Sequence, residues 1–103
     1  MEKDRPGHPR FYELIGEMQR IHDKKNNDYA GNETPLANLL ECKKIGIDPF
    51  KGVLVRMSDK WSRICRLASG VQPQVKDESI KDTLLDIANY ALFAIIILEE
   101  AGE

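Results

Sequence analysis

Apolar residues recur every three or four positions along most of this chain, a spacing that places their side chains on one face of an α-helix. The pattern is clear near residues 10–25, 50–68 and 78–99, and a shorter segment covers 35–44. No segment alternates apolar and polar residues with period two, so the pattern predicts no β-sheet. The sequence therefore predicts an all-α fold, a bundle of four helices.

Two of the predicted helices begin at residues that are typical of a helix start. Thr34 would cap the second helix and Asp48 the third, with Pro35 and Pro49 at the first helical positions. At the fourth helix, an aspartate or serine within 77–79 would serve as the cap.

The first helix is predicted to end at the adjacent asparagines 26–27, because asparagine is a weak helix former. A loop over 24–32 would follow, and it contains Lys25, Asp28 and Tyr29. Loops that combine turn-like composition with charged and aromatic side chains often contact ligands. The alternative is an ordinary connection whose tyrosine packs on the core.

One side of the fourth helix is acidic at its beginning. Glu78, Asp82 and Asp86 are spaced four apart and Asn89 follows three later, so all four fall within a stripe of about 80°. The same side becomes apolar from Phe93 onward, which places the carboxylates at the rim of a buried layer. Carboxylates there are costly unless a cation is near, and a divalent metal would satisfy them. The alternative is a solvated face that complements the helix dipole.

The opposite side of the fourth helix is predicted to be its core face, formed by Ile80, Leu84, Ile87, Ala91, Ile95 and Leu98. The third helix is predicted to bury one stripe, formed by Leu54, Met57, Trp61, Ile64, Cys65 and Ala68. A chain of 103 residues has little core to cover the apolar run 91–98 on all sides. We therefore expect a homo-oligomer with that run or the Trp61 stripe near the interface.

The third helix carries four charged residues on its polar side: Arg56, Asp59, Lys60 and Arg63. The short connection to the fourth helix predicts that the two are antiparallel neighbours. If their polar faces meet, the acids would hold Mg²⁺ and the cations would bind phosphates, an arrangement suited to metal-assisted phosphoanhydride hydrolysis. The alternative is that Arg56 or Arg63 forms an interhelical ion pair with Asp82 or Asp86.

Composition and charge narrow the function further. The net charge of −2 gives no indication of a wide nucleic-acid surface, so no direct DNA binding is expected. The start of the chain lacks the apolar segment of a signal peptide, and the run 91–98 is too short to span a bilayer. We expect a cytoplasmic protein without a membrane partner, with residues 1–8 as a flexible tail and 9–103 as a single all-α nucleotide-binding domain.

Four blocks of sequence occur in the order found in a known family: Lys25-x-x-Asp28-Tyr29-Ala30-Gly31, Pro35-Leu36-Ala37-Asn38, Arg56-Met57-Ser58-Asp59-Lys60, and the segment 77–90. Over about residues 10–98 the chain resembles the nucleotide modification associated domain 1 family, which is common in phage and prophage genomes. It is more distantly similar to the all-α nucleoside triphosphate pyrophosphohydrolases, the MazG-like and dimeric dUTPase group. That similarity rests mainly on the fourth helix.

The distant resemblance implies a MazG-like bundle, assembled as a homodimer or homotetramer, that holds Mg²⁺ through an E-x-x-E and an E-x-x-D motif; Mn²⁺ could replace it. Asp59 and Asp86 match one acid of each motif, whereas Ser62 and Thr83 stand where the other acids would be. A rearranged site would then use four metal ligands: Asp59, Glu78, Asp82 and Asp86. Of these, Asp59, Asp82 and Asp86 would be catalytic.

Seven residues are expected to contact the substrate: Lys25, Asp28, Tyr29, Asn38, Arg56, Lys60 and Asn89. Arg56, Lys60 and Lys25 would contact phosphates, while Tyr29 and Asn38 would face the base or sugar. The leading hypothesis is an Mg²⁺-dependent nucleoside triphosphate pyrophosphohydrolase of a phage or prophage. The alternatives are a non-catalytic nucleotide-binding accessory protein of a DNA-modification pathway and a helical oligomerisation module.

Overall fold

The computed structural model describes residues 5–30, 36–72 and 79–102, without the side chains of 28–30. These residues form α1 (Pro9–Ala30), α2 (Ala37–Leu40), a 3₁₀ helix (Glu41–Ile45), α3 (Pro49–Ala68) and α4 (Ile80–Glu100). No strand occurs in the three described ranges. The predicted all-α class is confirmed, and none of the described helices is long and apolar enough to cross a membrane.

The chain divides into two compact units, residues 1–35 and 36–103. In the first unit, the segment before α1 folds back on Tyr12. The guanidinium of Arg5 lies 4.5 Å from the centre of the Tyr12 ring, and the Gly7 backbone N–H donates to the Tyr12 hydroxyl over 3.2 Å. A cation over an aromatic face is attracted by the ring quadrupole, so this contact fixes residues 5–8 against the start of α1.

The predicted loop at 24–32 is wrong for most of its length, because α1 continues to Ala30. The adjacent asparagines 26–27 disfavour a helix by only about 0.7 kcal/mol each relative to alanine, which is too little to end one. A sharper stop needs glycine or proline, and Gly31 is the first glycine after this point.

In the second unit, α3 and α4 pack side by side and antiparallel. Val53 of α3 shares a buried cluster with Ala94 and Ile97 of α4, while Lys60, seven residues further along α3, pairs with Asp86, which lies earlier in α4. The cluster consists of Leu36, Leu39, Val53, Ala94 and Ile97, with Leu40, Phe50, Met57, Tyr90 and Phe93 packed around it. The core therefore lies at the end of the pair where α3 begins and α4 finishes.

The helix starts confirm two of the three predicted caps. The Asp48 carboxylate accepts from the Phe50 N–H over 3.1 Å, and Pro49 is the first residue of α3. Ser79 caps α4 within a reciprocal capping box. Thr34, the third predicted cap, lies outside the described residues, and α2 begins at Ala37 behind Leu36, which has no side-chain cap bond.

Leu36 has a left-handed backbone, with φ of 67°, and its side chain is buried in the core cluster. That conformation costs a non-glycine residue about 1 kcal/mol or more. Burial of the leucine side chain offsets the cost, so tertiary packing stabilises this start of α2.

The predicted core face of α4 is also wrong. Ile80, Leu84 and Ile95 are 40%, 49% and 51% exposed, and Trp61 of the α3 stripe is 61% exposed. The residues that α4 buries are Thr83, Leu85, Asn89, Ala94 and Ile97. The side of α4 that faces α3 is thus the mixed side, with acids at one end and apolar residues at the other.

Candidate functional site

An ion pair joins the polar halves of α3 and α4. Lys60 Nζ lies 3.1 Å from Asp86 Oδ2, and the two side chains are 28% and 18% exposed. The sequence allowed an interhelical ion pair here, but with Arg56 or Arg63 as the cation. Because both charges are largely withdrawn from water, each depends on the other more than surface ions do.

Further polar groups surround this pair. Arg63, one turn after Lys60, is half-buried and takes part in interactions of its own, whereas Arg56, one turn before, is exposed. On α4, Asn89 follows Asp86 by three residues and is only 7% exposed. Residues three or four apart lie on one helix face, so α3 presents three cations in a row towards this region. We call Lys60, Arg63, Asp86 and Asn89 the interhelical polar cluster.

Asp82 is engaged in the start of α4. Its Oδ2 accepts from the Ser79 hydroxyl over 2.7 Å and from the Ser79 backbone N–H over 3.4 Å. In return the Ser79 Oγ accepts from the Asp82 N–H over 3.1 Å. This capping box uses one oxygen of the carboxylate to hold the first turn.

The described residues do not gather the predicted metal ligands. No group of three or more His, Cys, Asp or Glu side chains suited to a metal occurs among them. Asp59 is exposed and, as a neighbour of Lys60, points about 100° away from it around the helix axis. Glu78 lies outside the described residues. A resident Mg²⁺ does not fit the described donors on their own, since they supply only Asp82 and Asp86 on one side of α4.

The predicted substrate-binding residues fall into both units. Lys25 lies in α1, exposed and with a contact of its own, and the side chains of Asp28 and Tyr29 are outside the described set. Asn38 is half-buried in α2, beside the buried Leu39. Of the seven predicted residues, only three lie on the paired helices α3 and α4: Arg56, Lys60 and Asn89.

Two residues of this region were not selected from the sequence as site residues. Arg63 was placed on the same polar face as Lys60 but was not included among the substrate-binding residues. Thr83 is 2% exposed, and its hydroxyl donates to the Ser79 carbonyl over 2.8 Å. A glutamate at this position would have to bury its carboxylate. Thr83, which replaces the glutamate of the E-x-x-D motif, therefore lies where the structure leaves no access to water.

One comparison with known families gives a match. Residues 51–98 match the sequence model of the family described as nucleotide modification associated domain 1. The matched segment begins in the first turn of α3 and ends in the last turns of α4, so it contains the whole interhelical polar cluster. It covers slightly less than half of the chain. No curated protein and no solved structure matches.

Proposed function

We propose that the α3–α4 pair binds the phosphate groups of a nucleotide and serves nucleotide or DNA modification. The observation that carries this proposal is the Lys60–Asp86 ion pair, withdrawn from water beside Arg63 and Asn89 within the family-matched segment. Lysine and arginine are the residues with which proteins bind phosphate. A buried amide such as Asn89 adds directional hydrogen bonding that an ion pair alone lacks.

In this proposal the phosphate competes with Asp86 for Lys60. The row Arg56, Lys60 and Arg63 carries three positive charges, and the facing side of α4 carries the two negative charges of Asp82 and Asp86. An arriving phosphate therefore meets an excess of positive charge, while Asp82 remains in the capping box. Exposed Arg56 makes the first contact, and its long side chain allows it to reach outward.

The proposal for the wider setting rests on the resemblance and the composition described from the sequence. We propose a phage or prophage protein that acts in the host cytoplasm as a homodimer or homotetramer. The exposed apolar residues of α3 and α4 support the oligomer, because monomers seldom expose several large apolar side chains on adjoining helices.

Isothermal titration calorimetry with a panel of nucleoside mono-, di- and triphosphates tests the binding. Lys60→Ala should weaken binding about tenfold or more, and affinity should fall as salt is raised. Lys51→Ala is the matched control, because Lys51 is an exposed lysine in the first turn of the same helix. Equal effects of the two substitutions, or no binding by the wild-type protein, would contradict the proposal.

A second candidate is the Mg²⁺-dependent pyrophosphohydrolase, or a similar hydrolase. The observation in its favour is that Asp82 and Asp86 are both half-buried and one turn apart on the same side of α4. Protein sites for Mg²⁺ often use one or two carboxylates together with substrate phosphates, so the metal would enter with the nucleotide. In this candidate Asp82 and Asp86 would hold the metal that accompanies the phosphates, and Lys60 would neutralise part of the phosphate charge.

Pyrophosphate release from nucleoside triphosphates, with Mg²⁺ or Mn²⁺, separates the two candidates. Turnover that Asp86→Asn abolishes supports the hydrolase, with the fold of the variant checked by circular dichroism. Nucleotide binding without turnover under either metal supports the non-catalytic protein. If the protein neither binds nor hydrolyses nucleotides, the remaining hypothesis is the helical oligomerisation module, which the sequence also allowed.

A further inference from the structure

The side of α4 that faces away from α3 carries an apolar seam with coiled-coil spacing. Its residues are Leu84, Ala88, Ala91, Ile95 and Leu98, separated by four, three, four and three positions. Leu84 and Ile95 are about half exposed at 49% and 51%, and the other three are half-buried. Around the helix axis this seam lies nearly opposite the stripe of Asp86, Phe93 and Ile97 that packs towards α3.

This spacing is the one with which one helix packs along another. Apolar residues that alternate three and four apart keep a single seam in contact with a partner over several turns. The seam extends over about 21 Å of α4, and its centre consists of two alanines that permit close approach of the axes. A scattered set of exposed apolar residues would not need this regularity.

The four central residues of the seam are self-complementary when it is reversed. Around a point between Ala88 and Ala91, reversal brings Leu84 opposite Ile95, Ala88 opposite Ala91, and Leu98 opposite Lys81. Such a match is what a twofold interface requires, because each residue must fit the residue that the axis brings to it. The seam alone does not exclude a parallel arrangement, so the flanking charges decide.

Two charged residues flank the seam on the same side, Lys81 near the start of α4 and Glu99 near its end; both are exposed. They lie at about 13 Å and 14 Å from the centre of the seam along the helix axis. In an antiparallel pair the same flanks of the two helices face each other, so Lys81 meets Glu99 of the partner subunit. In a parallel pair this flank faces Ile80 and Ile87, which carry no charge.

We propose that α4 pairs with α4 of a second copy of this chain, antiparallel and centred on Ala88 and Ala91. Two symmetric Lys81–Glu99 contacts then fix the direction of the pairing. The antiparallel arrangement also places each helix terminus beside the oppositely charged terminus of the partner. The proposal is independent of nucleotide binding, and it gives the proposed oligomer a defined interface.

Sedimentation velocity across a concentration series tests the interface. Wild-type protein should dimerise in the micromolar range, because one helix pair buries less than a standard interface of about 800 Å² per partner. Ala91→Arg should shift dimerisation at least tenfold to higher concentration. Ala68→Arg should not, and it is the matched control because Ala68 is an exposed alanine in the last turn of α3.

The direction of pairing is tested by exchanging the charges. Lys81→Glu and Glu99→Lys should each weaken the dimer about two- to tenfold at low salt, and the double exchange should restore it. A misfolded variant cannot produce this restoration. The proposal would be overturned if Ala91→Arg left dimerisation unchanged. It would also be overturned if the double charge exchange failed to restore the dimerisation lost in the two single variants. A wild-type protein that stays monomeric at all concentrations would also overturn it. If Ala91→Arg lowered the melting temperature of that monomer, the seam would be covered by a segment of the same chain.

Discussion

The two faces of α4 differ in composition and in what covers them. The face towards α3 begins with Asp82, Asp86 and Asn89 and ends with apolar residues such as Ile97, which is 6% exposed. The opposite face is apolar from Leu84 onward, yet Leu84 and Ile95 remain about half exposed. The more uniformly apolar face is therefore not the one that forms the core of the unit.

The difference shows how a partner helix selects the buried face. Turning the uniform face of α4 towards α3 would have left Asp86 and the α3 cations apart and exposed. The observed arrangement pairs Lys60 with Asp86 at one end and packs Val53 against Ala94 and Ile97 at the other. Complementarity along the whole length of both helices outweighs the apolar content of either face alone, because a half-buried charge without a partner costs about 1 kcal/mol or more.

The largest expected effect is the loss of stability on truncating an isoleucine of the face towards α3, compared with an isoleucine of the opposite face. Ile97→Ala removes a side chain that is 94% buried and should reduce the free energy of unfolding by about 2–4 kcal/mol. Ile95→Ala, with 51% of the residue exposed, should cost less than about 1 kcal/mol in the monomer. Urea denaturation at low protein concentration measures both. Equal losses would mean that the faces of α4 are assigned wrongly.

The sequence predicted the helices better than the faces. Local signals sufficed for the caps at Asp48 and Ser79, since these depend on neighbouring residues alone. The burial of Thr83 and the exposure of Trp61 depend on the rotation of one helix against another. Periodicity identifies an apolar stripe but does not say which of two stripes a given neighbour covers.

The same limit applies to the candidate site. The sequence placed Lys60, Asp86 and Asn89 on paired polar faces, and the structure brings two of them into direct contact. The sequence analysis treated Asp59 as a metal ligand together with Asp86, although Asp59 and its neighbour Lys60 point about 100° apart around the helix axis. Asp59 was assigned as a ligand because it matches a motif position of the resembled family. Which side chain of α3 faces α4 depends instead on the rotation of α3 about its axis.

The next largest effect concerns the ion pair on the face towards α3. Asp86→Ala should destabilise the ligand-free protein by about 1 kcal/mol, because Lys60 loses its partner while it is only 28% exposed. A double-mutant cycle with Lys60→Met isolates the interaction from other effects of each substitution. An Asp86→Ala variant that is more stable than wild type would instead indicate repulsion among carboxylates, as a metal site requires.

A similar effect is expected where the 3₁₀ helix approaches α3. A Cβ added at Gly52 would lie 3.0 Å from the Cys42 Sγ, whereas one added at Gly16 of α1 meets only the end of the Arg20 side chain at 3.4 Å. Gly16→Ala should stabilise by up to about 1 kcal/mol through helix propensity. Gly52→Ala should lose that gain to the clash and recover it when Cys42→Ala is added. Thermal melts of these three variants and of the wild-type protein measure the difference, and a clear gain from Gly52→Ala alone would show that the cysteine moves freely.

The smallest expected effect distinguishes two roles of Asp82 at the start of the acidic face. Ser79→Ala removes the cap and should cost about 1 kcal/mol. Asp82→Asn removes the charge but keeps an oxygen that can accept from Ser79, so it should cost only about 0.3 kcal/mol by weakening the favourable contact with the helix dipole. If Asp82 serves the cap alone, Asp82→Asn should leave nucleotide affinity unchanged with and without Mg²⁺. A loss of affinity confined to the Mg²⁺ titration would show that this carboxylate also holds the metal–nucleotide complex, since the amide retains the hydrogen bond and lacks only the charge that a divalent cation needs.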